Sequence, residues 1–449
     1  MPTVRLRRGS LIALAIAALV VIVLGLLAAT GVRRSCDGPC PDAVAVSDRF
    51  WFLHRDLGPT GSLTVRLTSM TGTITYPPPD HDEIVSGLVP WAKTGIIIKD
   101  GVRPGSRYAA LMMTGDHGVR FQHDYRHDVA GSSATAGWLR LTRSGDTITG
   151  AESADGKQWQ TVGETRLDGL PDTVQVGMFA TSPGDLTLRR VGLGGAIQEA
   201  RFSQAVGTFD NVTGEGGAWR SEPIGEMNHT DWERFHHASG AVQQGGTVTV
   251  SGTGDIGPAS EDRIPAVEST LAGLLVALIV VLVVGVRAPS AAAAGLGAFV
   301  TGLVAAGVVV GVYMVKLSAV QPLPLWTGLR VIVGVAAALG LSTVLAYGLG
   351  RAIRRRWVAI VAALSLVALP YAITVLPLLP DAVADWLLRL TPAAAFAVKQ
   401  TLIEYPQVTA HYAPSAGYFP LPWWAGLMVL TAYTVGVFWF GRGRRPAWR

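Results

Sequence analysis

Hydrophobic residues along this chain fall into two kinds of pattern. In six places they run almost uninterrupted. In one long central stretch they alternate with polar residues. The first uninterrupted run is SLIALAIAALVVIVLGLLAATGV, residues 10–32, and the others lie near 267–286, 291–315, 331–350, 357–379 and 423–441. A bilayer core takes about 20 consecutive apolar residues in a helix, so the pattern predicts six membrane spans. The first run is longer than the ~7–15-residue apolar core of a secretory leader. It also carries no small-x-small cleavage site and ends in ThrGlyValArgArg, which reads as an uncleaved anchor.

The central stretch, about 35–260, predicts an all-β domain. In SLTVRLTS (62–69) Leu63, Val65 and Leu67 point one way while Thr64, Arg66 and Thr68 point the other. Similar runs are GVRFQHDY (118–125), WLRLTRS (138–144) and TVQVGMFAT (173–181), separated by the turn signals ProGly 104–105, SerGlyAsp 144–146, AspGly 155–156 and ProGlyAsp 183–185. Many short strands without a helical period predict a two-sheet sandwich or jelly roll. Residues 213–262 read as one more strand and a linker. The expected architecture is multi-domain: a six-helix transmembrane bundle with a jelly-roll sandwich inserted between its first and second spans. Its parts are an anchor helix at 1–33, an extracytoplasmic sandwich at 34–262 with its core at about 45–215, and five further spans at 263–449.

Composition agrees. Hydrophobic residues make up 49% and charged residues 15%, against about a quarter charged in ordinary soluble chains. The net charge of +5 suggests nucleic acid only until the basic residues are located. With a cytoplasmic N-terminus, the inside segments carry Arg5, Arg7, Arg8, Arg287, Arg351, Arg354, Arg355, Arg356, Arg442, Arg444, Arg445 and Arg449. The short outside loops carry only Lys316, Arg330, Arg389 and Lys399, with Arg33 and Arg34 a mild exception. This is the positive-inside bias of a multi-pass cell-membrane protein with both termini cytoplasmic, and it removes the case for a nucleic-acid partner.

Intramembrane charge is nearly absent. Glu268 and Lys316 are expected at span ends, within reach of headgroup water, which argues against a proton- or ion-coupled transporter. Cys36 and Cys40 flank AspGlyPro just outside the first span. An oxidising compartment favours a disulfide between them, with two free thiols as the other reading. His123 and His127 share a face at four-residue spacing only in a helix, and their segment reads as strand and turn. His236 and His237 sit in a polar loop with no acidic cluster at ligand spacing. Trp91, Tyr108, Tyr125, Trp138 and Trp159 are candidates for a glycan-binding cleft, with core packing as the competing reading. Asp116, Asp124, Glu152 and Asp155 show no pairing that points to glycoside hydrolysis. No phosphate-binding G-x-x-x-x-G-K-[ST] loop, G-x-S-x-G elbow or H-E-x-x-H motif occurs, so no catalytic residue and no cofactor are expected.

Two resemblances add to this reading. The order WAKTGIIIKDGVRPGSRYAALMMTGDHGVRFQHDY (91–125), WLRLTRSGDTITGAESADGKQWQTVG (138–163), VGMFATSP (176–183) and FDNV (209–212) is similar to concanavalin-A-like jelly-roll modules, including accessory domains of some bacterial glycosidases. Such a fold hosts many functions. In the last third, LRVIVGVAAALGLSTVLAYGLGRAIRRRWVAIVAALSLVALPYAI (329–373), LLRLTPAAAFAVKQTL (387–402), YPQV (405–408) and GYFPLPWWAGLMVLTAYTVGVFWF (417–440) resemble actinobacterial type-2 ABC transporter permeases.

That second resemblance implies an exporter subunit driven by a separate ATPase and paired with a second permease subunit, identical or not. It implies an outer lid on the export path, for which Trp386, Thr391, Pro392, Phe396, Gln400 and Tyr405 are the candidates. Residues 381–402 fit a helix lying in or dipping into the outer interface, with Asp385 and Arg389 paired. Pro370 and Pro377 are expected to break or kink the fifth span. Arg351, Arg354, Arg355 and Arg356 are the candidate ATPase-docking residues. The sequence departs from the family at 286–290, where ValArgAlaProSer leaves no room for the usual docking helix, and at a cytoplasmic N-terminus of about nine residues. The alternative is a membrane-anchored protein that binds or senses a cell-wall glycan or partner without active transport.

Overall fold

The computed structural model describes residues 6–31, 46–76, 83–132, 137–228, 231–258, 267–317, 323–376 and 378–442. Cys36, Cys40, Arg33, Arg34 and Pro377 lie outside them. The chain begins with helix α1, Arg8–Gly31. A large β-sandwich follows, containing a short helix α2, Asp231–His236. The remaining helices are α3 (Val267–Thr270), α4 (Leu274–Arg287), α5 (Ala291–Leu317), α6 (Leu325–Ala352), α7 (Arg356–Ala363), α8 (Leu369–Val375), α9 (Asp381–Leu390) and α10 (Trp423–Arg442).

The sandwich is two antiparallel sheets. One runs edge to edge as Gln160–Arg166, Thr147–Ser153, Trp138–Ser144, Thr60–Thr75, Ser203–Gly214, Thr247–Gly252 and Gly240–Gln244, with Ile84–Ser86 beside Thr60–Thr75. The other runs as Arg220–Ile224, Phe50–Leu57, Val174–Thr181, Lys93–Lys99, Tyr108–Thr114, Val119–His123 and His127–Ala130. Leu63, Val65 and Leu67 face the second sheet's Ile96, Ile98, Leu111 and Val176 in a shared core, as the alternation predicts. The strands of the sandwich core extend past the expected 45–215. Arg220–Ile224 pairs with Phe50–Leu57, and Thr247–Gly252 pairs with Ser203–Gly214, so 213–262 supplies strands to both sheets rather than one strand and a linker.

The middle strands of the second sheet are buried on both faces. Val174–Thr181 is almost wholly buried instead of alternating. The cause is a ribbon laid over the face away from the shared core. Val46–Asp48 and Ile256–Pro258, the segments by which the chain enters and leaves the sandwich, pair antiparallel through Val46↔Pro258, Ser47↔Gly257 and Asp48↔Ile256. Beneath them Phe50, Phe52, Ile97, Tyr108, Met112, Tyr125 and Phe179 form a second core. Residues 93, 95, 97 and 99 of KTGIIIK point into this layer, so its two lysines are drawn inside and meet carboxylates of the ribbon. Lys99 Nζ lies 2.7 Å from Asp48 Oδ2, and Lys93 Nζ lies 2.5 Å from Asp255 Oδ1 and 2.6 Å from the Ile256 carbonyl.

Among the described residues five helical segments are long and apolar enough to cross a membrane: Arg8–Ala29, Ala291–Lys316, Leu325–Ala352, Arg356–Val375 and Trp423–Phe440. The remaining expected span, 267–286, is a short helix, a turn and the 14-residue α4. Gly273 in that turn sits where a Cβ would be 2.9 Å from Val21 Cα, so the break coincides with close packing on α1. The segment Arg356–Val375 is interrupted, as expected, but by a π-helical turn at Leu364–Ala368, just ahead of Pro370. Exposed tryptophans mark both ends of the helices. Trp326 opens α6 and Trp423 and Trp424 open α10; Trp357 opens α7 and Trp439 nearly closes α10 at the opposite end. Such rings are characteristic of membrane–water interfaces.

Candidate functional site

The candidate site is the segment between α8 and α10, where the bundle meets the sandwich. The sequence predicts one helix over 381–402. The structure has α9, then an eight-residue 3-10 helix, Pro392–Lys399, buried along its whole length. Pro392 opens the 3-10 helix, and Thr391 Oγ1 donates to the Leu387 carbonyl at 2.7 Å, closing α9. A 3-10 stretch this long is unusual and often marks a hinge or strain. Two glycines make room for it. A Cβ at Gly426 of α10 would stand 2.0 Å from the Ala394 carbonyl oxygen, and one at Gly334 of α6 would stand 2.7 Å from Val398 Cβ.

Three charged groups converge on the end of this segment. Glu268 is buried, 3% exposed, and does not reach headgroup water as its sequence position suggests. Its carboxylate accepts from the Thr401 backbone N–H, from Thr401 Oγ1 at 3.1 Å and from the Leu402 N–H at 3.3 Å. Lys399 is also buried; its Nζ donates to the Tyr371 hydroxyl at 2.9 Å and lies over the Phe419 ring. Arg330 donates to the Gln400 carbonyl, and Gln400 Oε1 accepts the Phe419 N–H at 2.6 Å. Glu268 interacts electrostatically with both Lys399 and Arg330. These residues flank separate apolar runs, so linear order gives no sign of their convergence; the only local signal is a lysine directly after PAAAFAV.

The lid candidates therefore divide. Phe396 is fully buried against the Tyr371 ring, 4.7 Å between centroids, and Pro392 is buried with it, so neither supplies interfacial surface. Gln400 is half-buried at the charged cluster. Tyr405 is half-buried, its carbonyl accepting the Val408 N–H at 3.0 Å. Trp386 is exposed on α9. Asp385 and Arg389 form no ion pair. The guanidinium lies over the Trp386 ring instead, and Asp385 Oδ1 is buried without a hydrogen bond among the described residues.

The sandwich rests on this same segment. Gln407 Nε2 donates to the Arg126 carbonyl at 3.0 Å, and the His411 N–H donates to Gln198 Oε1 at 2.9 Å. His411 Nε2 also meets Asp381 Oδ2 at 2.8 Å, returning the contact to α9. A cavity of about 420 Å³ lies at this junction, lined by Arg49, Trp91, Arg201, Glu233, Asp255 and Gln407 among others.

The five glycan candidates do not form a cleft. Trp91, Tyr108 and Tyr125 are buried, with Trp91 stacked on His117 and Tyr108 edge-on to Tyr125. Burial and nearby carboxylates push both tyrosine hydroxyls well above their usual range. Trp138 and Trp159 belong to the other sheet's side and are capped by Arg66 and Arg140. His123 and His127 face each other across a hairpin and stack. His237 is buried and bonded to Thr75, not in an open loop. Glu152 holds Ser132, Asp124 pairs with Arg107, and Asp155 closes its own turn. No group of three metal-ligating side chains occurs among the described residues. At the other end of the bundle Arg351 near the end of α6, Arg354 and Arg355 in the turn, and Arg356 at the start of α7 are all exposed, and only Ala288, Pro289 and Ser290 separate α4 from α5.

No family model and no curated protein matches the chain. Among solved structures, the chain aligns with a mutant of the GH43 protein BlXynB from Bacillus licheniformis, at 16% identity over 27% of this chain and 24% of that one, with a TM-score of 0.19. It aligns with SCP-B, a member of the Eqolisin family of peptidases, in complex with a tripeptide, at 10% identity over 46% and 98% of the two chains (TM-score 0.26). A functionally unknown protein from Saccharomyces cerevisiae aligns at 12% identity over 37% and 75% (TM-score 0.19). The chain spans only about a quarter of the GH43 protein. Likenesses this slight assign neither activity nor ligand.

Proposed function

We propose that the chain is the permease subunit of an ABC-type exporter, with the sandwich outside the cell and the arginine-rich turn inside. One observation carries this reading: a buried 3-10 segment, Pro392–Lys399, closes the sandwich end of the bundle, its own Lys399 bonded to Tyr371 and its C-terminal end held by Glu268 and Arg330 from two other parts of the chain. A plain anchor needs no such closure. Buried charge within apolar helices is costly and is ordinarily retained for function. In this reading the segment is the outer gate, and the sandwich, bonded through Arg126 and Gln198 to Gln407 and His411 of the loop that follows it, moves with it. A second subunit would pack on the outward faces of the helices, where Leu349, Ala352, Gly436 and Phe440 line an apolar groove between α6 and α10. Energy would come from a separate ATPase docking on Arg351, Arg354, Arg355 and Arg356.

The short α4–α5 link favours a second reading, a membrane-anchored glycan- or partner-binding protein without active transport. Purification of the tagged chain from native membranes in mild detergent separates the two. A P-loop ATPase that co-purifies in stoichiometric amount, and is lost with Arg354→Glu and Arg355→Glu, supports the exporter. Its absence, while a control permease retains its own ATPase, supports the anchored binder.

A further inference from the structure

The hairpin formed by Asp185–Val191 and Gly195–Arg201 is a two-stranded sheet separate from both sheets of the sandwich. Isolated two-stranded ribbons are marginal in water, and this one leaves Leu188, Leu193 and Ile197 exposed, Leu193 by 78% at the tip. One of its contacts lies on the membrane part: a Cβ on Gly194 would stand 2.9 Å from Pro380 Cγ. Pro380 immediately precedes α9, whose outward side shows Val383, Trp386 and Leu390. The tip thus continues an apolar rim that begins with the exposed Val375, Leu376 and Leu378 at the end of the Arg356–Val375 segment. That rim is at the end of the bundle marked by Trp326, Trp423 and Trp424. Arg190, exposed two residues before the end of the tip, makes no ion pair among the described residues.

From this continuity we propose that the hairpin tip is inserted in the lipid interface beside α9. Leu193 sits among the upper acyl chains and Arg190 faces the headgroup phosphates. The occupant of this surface is lipid, because the rim it extends is the lipid-facing rim of the helices and because an arginine beside an exposed leucine matches the phosphate-over-acyl order of a leaflet. The hairpin would then give the sandwich a second hold on the membrane, independent of the helices at either end of it.

The test uses the full chain with Cys36→Ser and Cys40→Ser, reconstituted in vesicles of phosphatidylcholine and phosphatidylglycerol. A fluorophore is attached at Leu193→Cys, and in a separate protein at Asp172→Cys. Asp172 is exposed just before Val174, at the end of the Val174–Thr181 strand remote from the cavity beside Gln407. The expected result is that nitroxide-labelled lipid quenches the 193 probe at least twofold more than the 172 probe, while iodide in the buffer quenches it less. Iodide access equal to that at 172 overturns the proposal. So does protection from both quenchers, which would mean that protein and not lipid covers the tip.

Discussion

Lys99 Nζ and Asp48 Oδ2 stand 2.7 Å apart with both side chains fully buried, joining the middle of the second sheet to the strand by which the chain enters the sandwich. The same oxygen accepts from the Tyr125 hydroxyl at 2.8 Å and the Gly105 N–H at 2.6 Å. Lys93 and Asp255 repeat the arrangement for the exit strand. Two lysines six positions apart in one strand thus hold together the two ends that lead to the helices.

Breaking this clamp should cost more than replacing it. Removing one partner of a buried pair strands the other charge, at about 3–5 kcal/mol, whereas an apolar pair of similar size is often neutral. Lys99→Met and Asp48→Leu are each expected to lower the unfolding midpoint of the purified chain strongly. The double variant should recover most of the loss, giving a large coupling in a double-mutant cycle.

Acidification should loosen the sandwich. Burial pushes the His237 imidazole below its ordinary value, with His236 adding repulsion. Burial likewise pushes His54 down, against its hydrogen bond to Glu222. A group whose folded pKa is depressed takes up its proton more readily when unfolded. The stability it contributes is therefore complete above about pH 6.5 and is lost as pH falls from there toward the folded value. Thermal midpoints of the full chain at about pH 7.5 and pH 5.5 should differ in that direction. Replacing both residues, with His54→Gln and His237→Gln, should shrink the difference.

Much of this fold is legible in the sequence, and the misses share a cause. Apolar runs and the alternation of Leu63, Val65 and Leu67 are local, and both survive in the structure. Val174–Thr181 does not alternate because a ribbon from 46–48 and 256–258 covers its second face, a contact between positions more than 70 residues apart. Glu268, Arg330 and Lys399 look like ordinary charges at the ends of apolar runs. Only the folding of residues 392–402 back into the bundle brings them together. Of the glycan candidates, Tyr108 and Tyr125 are buried for the same reason, since they lie under that ribbon.

Glu268 is expected to hold the closing segment in place. Glu268→Gln keeps size but loses the charge that receives the Thr401 and Leu402 N–H groups, each such charge-assisted bond being worth about 1.5–3 kcal/mol. Limited proteolysis of reconstituted protein should cut faster within 400–420 in this variant, with the sandwich strands unaffected. An unchanged cleavage pattern would show that the segment is held without the carboxylate.

Gly426 is expected to tolerate no side chain. A Cβ there would stand 2.0 Å from a backbone oxygen, which cannot rotate away. Gly426→Ala should displace the 3-10 helix and lower stability in detergent by more than the about 1–3 kcal/mol usual for overpacking. Gly436→Ala, on the same helix with nothing within 4 Å of its Cβ position, should be close to neutral.

The exporter reading is tested most directly by ATP hydrolysis in the particle purified from native membranes through a tag on this chain. For an exporter, hydrolysis exceeds that of a mock purification, is sensitive to vanadate and is lost with the Arg354→Glu, Arg355→Glu variant although that chain still folds and inserts. A folded, monodisperse particle with no hydrolysis above the mock would contradict it and leave the chain an anchored binding protein.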